Sequence, residues 1–170
     1  MPTPAEPSDR TRPGDDELAH TGIVVVDHGS RRAESNEMLE AFVAMFRQAT
    51  RYPIVEPAHM ELAEPSIATA FARCVARGAS RVVVAPYFLA PGRHWNKDIP
   101  ALAAEAAADH PGVSYLVAAP IGLHPLMCDL IASRIDYCLS HVAGRVEACD
   151  VCRTTGKCQF QSAPTASTRA

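Results

Sequence analysis

The sequence predicts an α/β protein: a flavodoxin-type three-layer sandwich on a four-stranded parallel sheet of order 2-1-3-4. Three observations carry this prediction. Short β-branched runs, Val24-Val25-Val26 and Val82-Val83-Val84 among them, are apolar at successive positions, as in strands buried on both faces. Stretches of helical periodicity alternate with them, four β-α units between Gly22 and Leu139, which implies a parallel sheet covered on both sides. Right-handed crossovers then make 2-1-3-4 the natural order. At 170 residues, 48% of them hydrophobic, the chain favours one domain with a real core.

Residues 1–21 are rich in Pro, Asp and Glu and poor in large apolar side chains, so they read as a flexible acidic arm. The first strand runs from Gly22 to Asp27. From about Glu34 the pattern is helical, with Leu39, Phe42, Val43 and Phe46 on one face, Ser30 or Ser35 as the cap, and Tyr52-Pro53 as the stop. Ile54 to Met60 is a second strand, placed at an edge by Pro57. Pro65 suits the first turn of the next helix, whose face is Ile67, Phe71, Cys74 and Val75 and whose stop is Gly78. Arg81 to Phe88 is the third strand. A loop from Leu89 to Lys97 follows, Asp98 caps a helix with Ile99, Leu102, Ala103 and Ala106 inward, and Val113 to Ala119 is the fourth strand. Met127, Leu130, Ile131, Ile135 and Cys138 keep helical spacing in the last helix of a domain spanning 22–139. Residues 140–170 form a cysteine-containing tail, expected to be partly disordered.

Several function classes are disfavoured. A net charge of −3 gives no general case for nucleic-acid binding. No apolar run approaches the ~18 residues that would span a bilayer. The first 20 residues carry five acids and two arginines and no apolar segment, unlike a secretory signal or a transit peptide. Neither a Gly-x-Gly-x-x-Gly after the first strand nor a P-loop is present, so nucleotide chemistry is not expected.

Chemistry concentrates at the strand ends. His28 follows the first strand, Glu61 the second and His94 the third, all on the sheet edge where open α/β folds bind ligands. Two imidazoles and a carboxylate suit Fe²⁺, Co²⁺, Ni²⁺ or Zn²⁺. Each of the three taken singly would read as an ordinary loop residue. Arg31, Arg32, Arg93 and Lys97 surround the same place and suit a substrate with several carboxylates, although any one of them could be a solvated loop charge. His59 reads as an edge-strand residue without a role, and His124 ranks below His94 as a ligand. Cys138, Cys149, Cys152 and Cys158 make C-x₁₀-C-x₂-C-x₅-C, which could hold Zn²⁺ or a [2Fe–2S] cluster, or form a disulfide; the spacing does not choose. Cys74 falls on an apolar helix face and reads as core.

The segments Asp27-His28-Gly29-Ser30-Arg31-Arg32, Glu61-Leu62-Ala63-Glu64-Pro65-Ser66 and Pro91-Gly92-Arg93-His94-Trp95 together resemble the short, single-unit sirohydrochlorin chelatases, and the cysteine-bearing tail resembles their plant type. The resemblance covers roughly Gly22 to Phe160. It implies a chelatase-like fold, insertion of Fe²⁺ into sirohydrochlorin with release of two protons to give sirohaem, and a homodimer. It further implies His28, His94 and Glu61 as the metal and catalytic residues, a [2Fe–2S] cluster on the four tail cysteines, and residence in the chloroplast stroma. Insertion of Co²⁺ or Ni²⁺ into the same ring is the nearest alternative. A redox or iron-sensing Fe–S protein and a zinc-stapled binding module are the alternatives from other classes.

Overall fold

The computed structural model describes residues 13–156. The chain divides into two compact units, residues 1–123 and 124–170. The first holds α1 (Asp15–Ala19), β1 (Thr21–Asp27), α2 (Ala33–Ala49), β2 (Ile54–His59), α3 (Ile67–Ala76), β3 (Arg81–Pro86), a π-helical turn (His94–Asp98), α4 (Ile99–Ala108) and β4 (Ser114–Val117). The second holds α5 (Pro125–Val142) and α6 (Asp150–Thr155).

The strands form one sheet of order β2-β1-β3-β4, every pair parallel, as the sequence predicts. β1 is central and its valines divide between two cores. Val24 and Val26 pack with Phe71, Cys74, Ile99 and Ala103 of α3 and α4. Ile23 and Val25 pack with Leu39 and Val43 of α2. Continuous apolar runs are therefore needed because each face of the strand meets a helix. β2 is an edge strand, as Pro57 suggests. Its Glu56 is buried but charge-paired, with Arg77 Nη1 at 2.7 Å.

Several expectations are corrected. The arm's last residues are ordered: α1 carries three acids in its first turn and buries Leu18, which anchors it. Neither Ser30 nor Ser35 caps α2. Arg32 stands at that position, and the Ser30 hydroxyl instead accepts the Arg32 N–H at 3.1 Å. Pro65 precedes the cap of α3, which is Ser66, accepting from the Thr69 N–H. Asp98 caps nothing with its side chain, because the π-helical turn already has helical backbone there and runs straight into α4. β4 is short, and its Tyr115 and Leu116 are exposed.

Within the second unit, α5 buries no residue. Leu126, Leu130, Ile131, Ile135 and Leu139 are all exposed, although their helical spacing anticipates a packed face. His124 accepts from the Leu126 N–H and so caps this helix. Cys149 caps α6 in the same way, accepting from the Cys152 N–H. Among the described residues no helix is long and apolar enough to cross a membrane.

Candidate functional site

The candidate site lies at the carboxyl edge of β1, β2 and β3. At the end of β1 the Asp27 carboxylate accepts the Gly29 N–H at 2.9 Å and turns the chain. Gly29 has φ +83° and lies so close to the loop after β2 that an added Cβ would stand 2.0 Å from the Glu61 carbonyl oxygen. Only glycine permits that approach. Two backbone bonds hold the crossing: Met60 N–H to Asp27 O at 2.9 Å and Glu61 N–H to His28 O at 3.2 Å. His28 and Glu61 are brought together as a result, with Nε2 2.8 Å from Oε1. The Glu61 loop is braced further along by Glu64, whose Oε2 accepts from the Ser66 N–H at 2.8 Å and the Thr69 hydroxyl at 2.9 Å. The Ser66 N–H and then the Thr69 hydroxyl hold the Glu64 carboxyl below the usual carboxylate range.

His94 arrives from the π-helical turn after β3. Its ring stands edge-on to that of His28, with centroids 5.3 Å apart. Asp98, four residues on, takes His94 Nδ1 at 2.9 Å, which fixes the ring and leaves Nε2 as the free nitrogen. Trp95 ties the same turn to the sheet by donating its indole N–H to the Ala118 carbonyl at 2.9 Å. A cleft of about 600 Å³ opens here, lined by Met60, Glu61, Arg93, His94, Asp98, Ala101 and Leu102.

The three metal candidates of the sequence, His28, Glu61 and His94, thus share one place. Among the described residues no three His, Cys, Asp or Glu side chains already stand as an ion's ligand set. His28 and Glu61 are bonded to each other, so an ion must displace that hydrogen bond. Of the basic candidates, Arg93 lines the cleft, with Nε 3.6 Å from Asp98. Arg31, Arg32 and Lys97 are exposed and are not among the residues lining it. The sequence reading missed Asp27, Asp98 and Trp95 as positioning groups. The i, i+4 spacing of His94 and Asp98 on helical backbone was the one available signal for Asp98.

His59, read as an edge residue without a role, is fully buried against the site, its Nδ1 2.6 Å from Asp27 Oδ1. Cys74 is core, and burial pushes its thiol up to about 12. In the second unit, Cys138, Cys149, Cys152 and His141 line one strongly apolar cavity of about 800 Å³ with Arg134. Hydrogen bonds from the Cys152 N–H first, then the Val151 N–H, lower the Cys149 thiol. Cys158 lies outside the described residues.

Parallel α/β sheets of this order bind ligands outside the carboxyl ends of their strands, and the donors gathered there are those of a divalent-ion site. The class so defined is an α/β metal-handling protein. The family model described as CbiX matches residues 22–138, and the chain belongs to that family. It is 61% identical over 139 residues to a protein of Arabidopsis thaliana named sirohydrochlorin ferrochelatase, chloroplastic, a match covering 82% of this chain and 62% of that protein. The chain thus spans less than two thirds of that relative's length. Among solved structures, a CbiX protein from Marinobacter aquaeolei VT8 aligns with TM-score 0.61 and 34% identity over 71% of this chain and 98% of its own. The sirohydrochlorin chelatase SirB from Bacillus subtilis subspecies spizizenii, in complex with cobalt, aligns with TM-score 0.64 and 31% identity over 68% of this chain and 50% of its own.

Proposed function

We propose that the protein is a sirohydrochlorin ferrochelatase, which inserts Fe²⁺ into sirohydrochlorin and releases two protons. The observation that carries this is the meeting of His28, Glu61 and His94, from three successive strand ends, at one cleft. The name of the Arabidopsis relative supports the reaction and the ring.

The geometry suits the chemistry. An entering Fe²⁺ takes the place of the hydrogen between His28 Nε2 and Glu61 Oε1 and gains the free Nε2 of His94. Imidazole and carboxylate hold Fe²⁺ with moderate strength, so the ion can be passed on. Once the metal leaves, the His28 ring and the Glu61 carboxylate are again free to accept the two pyrrole protons. Arg93 on the cleft wall pairs with a peripheral ring carboxylate, and Arg31, Arg32 and Lys97 provide further cations from the surrounding loops. Met60, Ala101 and Leu102 give the ring an apolar surface.

The test is anaerobic Fe²⁺ insertion followed by absorbance, for the natural sequence and for His28→Ala and His94→Ala. Loss of activity in both variants with the fold intact supports the reading. A protein that metallates the ring with Co²⁺ alone is a cobaltochelatase, the reading that the SirB–cobalt complex favours.

Three further properties belong to the same proposal. The thiols of Cys138, Cys149 and Cys152 fit a [2Fe–2S] cluster in donor type, because they face one cavity and the Cys149 thiolate is favoured there. With Cys158 as fourth ligand they would hold it, and such a cluster accepts or donates one electron. A homodimer is supported by the bare apolar face of α5 and by the exposed Leu116 on β4, surfaces that a second copy would cover. The chloroplast stroma follows from the chloroplastic name of the Arabidopsis relative.

A further inference from the structure

Behind the site lies a buried histidine that the proposed reaction does not use. His59 has 0% exposure, and its Nε2 has no hydrogen-bond partner. Its other nitrogen, Nδ1, lies 2.6 Å from Asp27 Oδ1. A sealed imidazolium would bury an orphan N–H, whereas a neutral ring with the proton on Nδ1 leaves only a bare lone pair inside. The hydrogen-bond network therefore assigns the Nδ1–H tautomer, donating to Asp27. A phenylalanine would fill the same space without an orphan nitrogen, so the fold alone gives no reason for histidine here.

The reason lies one bond further on. The Asp27 oxygen that accepts from His59 also accepts the Gly29 N–H at 2.9 Å. Those two donors fix the carboxylate, and the carboxylate fixes the turn that carries His28. On the other strand, the His59 N–H donates to the Pro65 carbonyl at 2.8 Å, and the Met60 N–H returns to the Asp27 carbonyl at 2.9 Å. His59 thus sits at the root of both loops, the one bearing His28 and the one bearing Glu61.

We infer that His59 is a positioning residue for metal uptake, holding Asp27 so that His28 and Glu61 meet an incoming ion at a fixed separation. The inference rests on the chelatase reading of that site. Outer partners of metal ligands commonly change affinity by about 10–100-fold when removed.

The test uses the full chain and Co²⁺ as the metal probe, read by its visible absorption, with Fe²⁺ insertion kinetics alongside. His59→Phe keeps the volume and removes the donor. His59→Asn keeps a donor at the Nδ1 position, and His59→Gln moves it outward. The expected result is Co²⁺ affinity about 10–100-fold weaker in His59→Phe and His59→Gln, recovery in His59→Asn, and a raised KM for Fe²⁺ with the KM for the ring unchanged. Should His59→Phe fail to fold, the Asn and Gln pair decides. Natural affinity in every folded variant, or equal loss in Asn and Gln, overturns the inference. If the unsubstituted protein binds no Co²⁺, or His28→Ala binds it undiminished, the reading of the site falls and the inference with it.

Discussion

Gly29→Ala probes the crossing on which the site is built. At φ +83° an L-residue carries a conformational cost of roughly 1–2 kcal/mol. The new Cβ would start 2.0 Å from the Glu61 carbonyl oxygen, and reaching 3.0 Å opens the crossing by about 1 Å. That shift breaks the Met60 to Asp27 and Glu61 to His28 backbone bonds, each worth roughly 0.5–1.5 kcal/mol net. Reduced freedom in the unfolded chain returns roughly 0.4–1 kcal/mol. The expected loss is about 2–4 kcal/mol, together with much weaker Co²⁺ binding. Gly78→Ala isolates the backbone part, since Gly78 has φ +95° and nothing within 4 Å of an added Cβ. It should lose about 1 kcal/mol or less by the same terms and bind Co²⁺ normally. Urea unfolding and Co²⁺ titration of the two variants decide the matter. Equal stability losses, with Co²⁺ binding intact in Gly29→Ala, would refute the view that this close approach builds the site.

Three other outcomes are expected. Asp98→Ala frees His94 Nδ1 and should weaken Co²⁺ binding about 10–100-fold with little change in the unfolding midpoint; unchanged binding would remove Asp98 from the site. Cys74 has its folded-state thiol raised by burial from 9.0 to about 12, so its contribution to stability is complete below pH 9 and is lost as pH rises toward 12. Cys74→Ala should be roughly 1 kcal/mol less stable at pH 7 but show a flatter decline above pH 9, and parallel declines in the two proteins would contradict this. Ile135→Glu charges the exposed apolar face of α5 and should turn the proposed dimer into a monomer by light scattering, with the first unit still folded; a dimer that survives the substitution uses another surface.

The sheet was legible because each of its strands announces itself in a different way. Valine runs mark β1 and β3, and Pro57 marks β2 as an edge, so order 2-1-3-4 needs only the crossover rule. His28, Glu61 and His94 were legible because strand ends of a parallel sheet share an edge. The supporting groups were not. Asp27 and His59 belong to strands, where period and apolarity say nothing about which side chain bonds to which across the ladder. Asp98 looked like a cap because a short polar residue before an apolar helix usually is one, and the π-helical turn that recruits it to His94 has no distinct composition. α5 shows the opposite limit. Its periodicity correctly reports an apolar face, but periodicity never says what covers that face, and within the described chain nothing buries it.

The bond between His28 and Glu61 bears on how a chelatase of this kind could work at all. A site that held its ion with three idle ligands would bind tightly and release slowly. Here the carboxylate and imidazole satisfy each other at 2.8 Å, and both are about half exposed, so metal binding must compete with a hydrogen bond already made. That competition lowers affinity without removing any ligand. It also gives the empty site a stable form to return to, which helps the ion leave toward the ring. Asp98 acts in the opposite direction on His94, orienting it and keeping one nitrogen ready. The three ligands are therefore unequal: His94 is prepared to receive the ion, and His28 with Glu61 is prepared to let it go.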